Sequence, residues 1–325
     1  MSNIIERVKI EKLFGEENVD WKLRPDVNVL VGKNGLGKST ILKLIRDTLL
    51  RKSDTIENEI ANHVFIQFID DKVCEAKVGI ELESLAKELR NFINTAIENN
   101  AKITFKNDNE VKEINPTEFT KEFIASFSKL IENKDSNPIK KVKKPSIQFK
   151  GNKKETALEF VSTVDMNANS ATELTTVEGL EINFLDFQMT NFLMNLNMDR
   201  TVKTKVTKAL NSFFQDNQKT VKFIKNGLNI ILNSGDEIPF QALSSGERQL
   251  IYIFLKVANA TRDNALILMD EPEISLHLAW QEKLISEIRK VNDKSQLIIV
   301  THSPAIVMNG WMDSFIDIND IFVGE

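Results

Sequence analysis

The sequence predicts an α/β fold built on a mainly parallel sheet, and three observations carry that prediction. Leu266 to Met269 and Leu297 to Val300 are nearly uninterrupted apolar runs, as strands covered on both faces should be. A helical stretch around Trp280 to Val291 lies between them. Near the N-terminus the run Val27, Val29, Leu30, Val31 ends a strand, a glycine-rich turn follows, and Ile41, Leu42, Ile45 and Leu49 then recur at helical spacing.

The elements follow in order. From Ile4 to Leu30 apolar and polar residues alternate around Gly15 and Pro25, which predicts two strands. Lys38 to about Arg51 contains neither Gly nor Pro and reads as a helix. Between roughly Asn62 and Lys154 the texture changes. Short strand-like runs (His63 to Ile69, Ile103 to Lys106) accompany two amphipathic stretches, one with Leu85, Leu89, Phe92, Ile93 and Ala96, the other with Phe119, Phe123, Phe127 and Leu130. This span, 61–154, reads as an inserted lobe, with 1–60 and 155–325 forming the core. No heptad pattern persists long enough for a coiled-coil arm. Strands return at Ala157 to Thr163, Glu181 to Phe187 and a hairpin from Val221 to Leu232 turning at Asn226 and Gly227, and a helix opens near Ser244.

Composition excludes several classes. The 325 residues are 42% hydrophobic and 27% charged, close to soluble globular averages and far from disorder. A net charge of −5 supplies no overall attraction to nucleic acid, so such contact needs a local patch. The single cysteine, Cys74, rules out an internal disulfide framework, fits a reduced compartment and reads as a packing residue. Charges interrupt the first ten residues, and no apolar run approaches the ~20 needed to span a bilayer. A cytoplasmic protein without a membrane segment is expected.

Gly32, Lys33, Asn34, Gly35, Leu36, Gly37, Lys38 and Ser39 spell G-x-x-x-x-G-K-S between an apolar strand and a helix, the context of a phosphate-binding loop. Glycines let successive amides converge on phosphate oxygens, and the helix N-terminus adds partial positive charge. On this reading ATP is the ligand. Lys38 bridges its β- and γ-phosphates, Ser39 ligates Mg2+ and Thr40 touches the α-phosphate. A second constellation follows the apolar strand ending at Met269. Asp270 and Glu271 emerge at the carboxyl end of that strand, where open α/β sheets bind ligands. Asp270 is placed to hold magnesium through water, and Glu271, aimed differently, to polarise attacking water as general base. An acidic turn before a helix accounts for Asp270 or Glu273 singly, but not for the ensemble.

Leu243, Ser244, Ser245, Gly246 and Glu247 open a helix. Ser244 and Glu247 have capping-box spacing, while the serines and Gly246 also leave amides and hydroxyls open to an anion. This segment resembles the LSGGQ signature of ABC-type ATPases, with Ser245 where glycine is usual and Glu247 where glutamine is usual. The order of motifs matches too: phosphate loop, signature, Asp270-Glu271, then Thr301-His302-Ser303 after an apolar strand. The resemblance implies a P-loop ABC-type nucleotide-binding domain with an antiparallel β subdomain. It further implies two heads stacked as a homodimer, ATP shared between the phosphate loop of one and the signature of the other. Ser244 and Gly246 then reach the opposite γ-phosphate, and His302 is the switch histidine that senses it. The glutamine-loop residue is either Asn167 or Gln188.

The run MDEPEISLHLAWQEKL with THSPAIV and Trp311 resembles the RecF-like and OLD-like prokaryotic branch, and most narrowly the PtuA-type ATPase subunits of anti-phage defence systems, Septu and retron-associated. That resemblance covers roughly residues 1 to 55 and 155 to 320. Such ATPases act with a nuclease. The chain shows no zinc-spacing, HNH-like or separate acidic cluster, so a separate nuclease effector is expected. A DNA-repair ATPase and a transporter energising subunit are the competing readings. Seven lysines (Lys140, Lys141, Lys143, Lys144, Lys150, Lys153, Lys154) form either a solvated loop or a nucleic-acid contact.

Overall fold

The alternation along the first strands buries one face of each. In the computed structural model the nine residues from Ile5 to Leu13 put Ile5, Val8, Ile10 and Leu13 inside and leave Glu6, Lys9 and Glu11 outside. The structure describes residues 4–52, 60–79, 103–107, 110–114, 146–151, 157–162, 173–175, 181–183, 193, 199–224, 227–262 and 264–324.

In chain order the first elements are β1 (Ile5–Leu13), β2 (Glu17–Lys22), β3 (Val27–Val31), α1 (Lys38–Leu50), β4 (His63–Phe68), β5 (Val73–Gly79), β6 (Ile103–Asn107), β7 (Glu110–Ile114) and β8 (Ser146–Gly151). There follow β9 (Leu158–Ser162), β10 (Glu173–Thr175), β11 (Glu181–Asn183), α2 (Arg200–Phe214), β12 (Lys219–Ile224), β13 (Gly227–Leu232) and β14 (Glu237–Ile238). The last are α3 (Ser245–Ala260), β15 (Leu266–Asp270), α4 (Leu278–Val291), β16 (Leu297–Thr301), β17 (Phe315–Asp317) and β18 (Phe322–Val323).

A parallel sheet in the order β17-β3-β16-β15-β9 forms the centre. Its registers set Asp270 beside Val300 and Ser162, and Thr301 beside Val31, so these strands end together at one rim. Both faces are covered. Val27, Val29, Ile267, Met269, Leu297 and Ile299 belong to a core shared with α2, α3 and α4. The intervening Leu30, Leu266, Leu268, Ile298 and Val300 are equally buried on the other face, where α1 packs on β15 and β16. Each such aliphatic contributes about 1.5–3 kcal/mol by leaving water, which is why the two runs carry no polar alternation.

A second, antiparallel sheet runs β18-β2-β1-β4-β5-β8, and α1 touches its β4 as well. Here residues 63–77, expected in the inserted lobe, sit in a sheet of the core. Val64, Ile66 and Phe68 alternate inward, so the change of texture near Asn62 marks a switch from parallel to antiparallel packing. Two compact units result, Met1–Lys77 with Gln148–Glu325, and Val78–Ile147. Within the second, β6 and β7 pair as a hairpin, Ile103 opposite Ile114. The amphipathic stretches at 85–96 and 119–130 lie outside the described residues.

A three-stranded sheet, β12-β13-β14, carries the expected hairpin. Gly227 pairs with Ile224 and so belongs to β13 rather than to a turn. Of the strand expected from Glu181 to Phe187, Glu181–Asn183 is described, paired with β10. Cys74 is buried and free. Among the described residues, no helix is long and apolar enough to cross a membrane.

Candidate active site

The rim where β3, β15 and β16 end is where backbone groups lose their strand partners and side chains of successive residues diverge. After Val31 the chain turns through Gly35 (φ +84°) and Gly37 (φ +90°), a left-handed backbone that residues with a Cβ rarely adopt. Gly37 caps α1 without any side-chain hydrogen bond, so the first amides of that helix keep no side-chain partner at the cap. Such a nest accepts an anion.

Lys38, the first helical residue, is buried. Its Nζ donates to the carbonyls of Gly32 (2.8 Å) and Lys33 (3.0 Å) and lies 3.1 and 3.3 Å from the two ring nitrogens of His302. Burial pushes its pKa below the ordinary lysine value, and the carboxylates of Glu271, Glu273 and Asp270 oppose that shift. Ser39 Oγ donates to Asp270 Oδ1 at 2.7 Å. The pairing puts two hard oxygens side by side, a donor set that fits Mg2+ completed by phosphate oxygens and water.

Glu271 follows β15 with φ +50°, a strained conformation for a residue with a side chain, while its N–H still reaches the carbonyl of Val300 at 2.9 Å. Its Oε1 lies 2.7 Å from His302 Nε2. The other ring nitrogen, Nδ1, is 2.9 Å from the Gly32 carbonyl, which can only accept, so Nδ1 carries hydrogen. A carboxylate and an imidazole thus meet within hydrogen-bond distance beside the phosphate loop. Phe14, Asn34, Gly35, Gly37, Lys38, Ser39, Thr40, Glu271 and His302 line one cavity of about 450 Å³.

The signature segment is built differently. Ser244 caps α3 and makes a full capping box: Glu247 N–H donates to Ser244 Oγ (3.3 Å) and Ser244 N–H to Glu247 Oε2 (2.9 Å). Glu247 also accepts from Lys219 Nζ (2.9 Å to each oxygen) and Asn217 Nδ2 (3.0 Å). Burial works to raise its pKa, but Lys219, the Ser244 amide and Asn217 together hold it below the usual glutamate value. A Cβ on Gly246 would stand 2.5 Å from the Ser275 carbonyl, so only glycine lets α3 seat against the loop after β15. Gln249 Nε2 donates to the Pro272 carbonyl at 2.6 Å and ties the same two segments together.

The structure therefore gathers the phosphate-loop residues with Glu271 and His302, sets Asp270 against Ser39, and leaves Ser244 and Gly246 out of that cavity. Asn167, Gln188 and the lysines of the 140–154 patch other than Lys150 lie outside the described residues; Lys150 is exposed on β8. Sequence reasoning gave no site role to Phe14, Gln249 or Glu273. Phe14 sits 18 residues before Gly32 in a β1–β2 turn and could have been found only as an exposed aromatic flanked by turn residues.

Fold and site together define a P-loop ATPase head. The crystal structure of an SmcHead bound to the C-winged helix domain of ScpA shares the fold, with a TM-score of 0.52 over 94% of this chain and 91% of that one at 15% identity. Residues 27–309 match the family described as "AAA domain, putative AbiEii toxin, Type IV TA system"; the chain belongs to that family and is an ATPase. It is 27% identical to the Septu protein PtuA of Bacillus thuringiensis over 94% of this chain and 73% of that protein. It is 22% identical to "Retron Ec83 probable ATPase" of Escherichia coli over 92% of this chain and 68% of that protein. These relatives agree with the PtuA-type resemblance read from the motifs.

Proposed function

We propose that two copies of this head close face to face on ATP and that the resulting switch controls a separate nuclease in a prokaryotic anti-phage defence complex. One observation carries the first half. Ser244 and Ser245 are exposed at the start of a capped helix, yet they do not line the cavity that holds Lys38, Ser39, Glu271 and His302 of the same chain. A second chain, related by two-fold symmetry, supplies what the cavity lacks.

In this reading Lys38 and the loop amides of Gly32 to Gly37 bind the β- and γ-phosphates. Ser39 and Asp270 hold Mg2+, whose chemistry when bound is to neutralise phosphate charge. Glu271 takes a proton from the water that attacks the γ-phosphorus as the bond to the β-bridging oxygen breaks. His302, whose Nε2 lies 2.7 Å from Glu271 Oε1, senses the γ-phosphate; Ser244 and Gly246 of the opposite chain face it. Binding closes the dimer and hydrolysis reopens it, a slow cycle suited to regulation. Residues 78–147 are the inserted lobe, and the lysines from Lys140 to Lys154 contact nucleic acid. The relatives named for Septu and retron systems support the defence assignment.

The shared site is tested by mixing two dead variants, Lys38→Ala and Ser244→Arg. A heterodimer regains one intact site, so an equimolar mixture should recover roughly a quarter of wild-type turnover. A mixture as inactive as its components rules out sharing. For the effector, affinity purification from the native host should recover a nuclease; recovery of the head alone counts against the defence complex.

A further inference from the structure

We infer that Glu273 is a positioning residue: its buried carboxylate fixes the backbone of His302 and thereby aims the imidazole at Glu271 and the phosphate loop. The inference rests on the reading that Glu271 and His302 serve the reacting phosphate.

Glu273 lies two residues beyond Glu271 and is 6% exposed. Its Oε1 accepts three hydrogen bonds from three consecutive residues, the Thr301 hydroxyl, the His302 N–H (3.0 Å) and the Ser303 N–H (3.3 Å). Thr301 ends β16 and Pro304 opens the next turn, so this is the stretch where the strand has stopped donating to its neighbours. The Ser303 N–H also donates to the Thr301 hydroxyl (2.9 Å), whereas Glu273 is the acceptor of the His302 N–H, so its loss would release the His302 amide and loosen the ϕ and ψ angles of that residue.

Those angles decide where the ring goes. With them set, Nδ1 meets the Gly32 carbonyl at 2.9 Å and Nε2 meets Glu271 Oε1 at 2.7 Å. A second brace acts on the same turn: Ser303 Oγ donates to Gln281 Oε1 (2.6 Å), and Gln281 Nε2 donates to the Leu276 carbonyl (2.7 Å). The loop after β15, through Glu273, and the first turn of α4, through Gln281, therefore each hold the His302 turn, and Gln249 and Gly246 fasten that loop to the signature helix.

The arrangement is expensive. Glu273 Oε2 is buried with no hydrogen-bond partner among the described residues, and burial pushes the carboxyl's pKa up. A turn that needed only closing could expose the free oxygen to water. Its bonds run to the turn that carries His302 and not only to its own loop, which is what a positioning role requires.

The protein has three histidines, His63, His277 and His302, so 15N-histidine labelling gives a spectrum simple enough to assign. In Glu273→Ala the His302 ring signals should move while those of His63, which lies on β4, stay in place. The same variant should lower kcat about 10- to 100-fold with KM for ATP within about threefold of wild type. Glu273→Gln keeps Oε1 as acceptor and should restore both the His302 signals and kcat to within about threefold. An unmoved His302 in a folded Glu273→Ala protein overturns the inference, as does a Gln variant that matches Ala in both readouts. Should Glu273→Ala not fold, Thr301→Val removes one of the three bonds and should shift His302 in the same direction by less; no shift overturns the inference equally. The spectrum is read without turnover, so it stands even if Glu271→Gln retains hydrolysis and the general-base reading fails.

Discussion

Two helices of this head begin in opposite ways. α1 starts from Gly37 in a left-handed conformation with no side-chain cap, whereas α3 starts from Ser244 inside a complete capping box that Lys219 and Asn217 reinforce. Both ends carry the positive pole of a helix dipole. At α1 the pole is left for a ligand and Lys38 is buried beside it; at α3 much of it is neutralised within the chain by Glu247. The difference teaches that the first terminus is built to bind charge tightly and the second to present a rigid, exposed serine face.

The sharpest break comes from Glu271→Gln, which removes the proton acceptor and leaves the α1 nest intact. Turnover should fall by about 10² to 10⁴, while ATP-dependent dimer accumulates in light scattering. Retained hydrolysis would move the base elsewhere. Next, Lys38→Ala should weaken ATP binding about 100-fold by calorimetry, some 2.7 kcal/mol, because two charged hydrogen bonds are lost at the uncapped helix. If α1 and α3 contributed alike to the isolated head, Ser244→Ala would weaken ATP binding as much, and the comparison would fail.

At α3 the expected effects are structural and smaller. Gly246→Ala forces a Cβ against the Ser275 carbonyl and should cost about 1–3 kcal/mol of unfolding free energy in urea titration. A neutral result would mean that the loop after β15 yields freely. Smallest is Lys219→Met. Glu247 sits below the ordinary glutamate value of 4.5, so its pairing adds stability that is complete above that pH and lost as pH falls through its folded value. Removing Lys219 brings the folded value back up, and the acid-unfolding midpoint should move to higher pH by a few tenths of a unit. An unchanged midpoint would show that the Ser244 and Asn217 bonds hold the carboxylate alone.

Much of the site was legible because its chemistry is local. A phosphate loop needs glycines at fixed offsets from a lysine and a serine, and Gly35, Gly37, Lys38 and Ser39 stand four residues or fewer apart. The carboxylates at 270 and 271 were legible because an apolar run ending in acids marks a strand's end at a rim. The boundary near residue 62 was not. Strands β4 and β5 have the polar alternation of any half-buried strand, and periodicity does not say which sheet a strand joins. Glu273 and Gln249 were missed for a related reason: each looks like an ordinary polar residue beside a motif, and their partners Thr301, His302 and Pro272 are 23 to 29 residues away.

By itself the sequence determined the α/β class, the order of the motifs and the atoms available at each, since these depend on period and spacing along the chain. Only the tertiary structure decided that His302 meets Glu271 and Gly32 together, that Glu273 is turned inward onto the His302 turn, and that Gly246 is glycine because of Ser275. Those contacts join segments whose separation no local propensity encodes, and they exist because parallel strands far apart in sequence end at one rim.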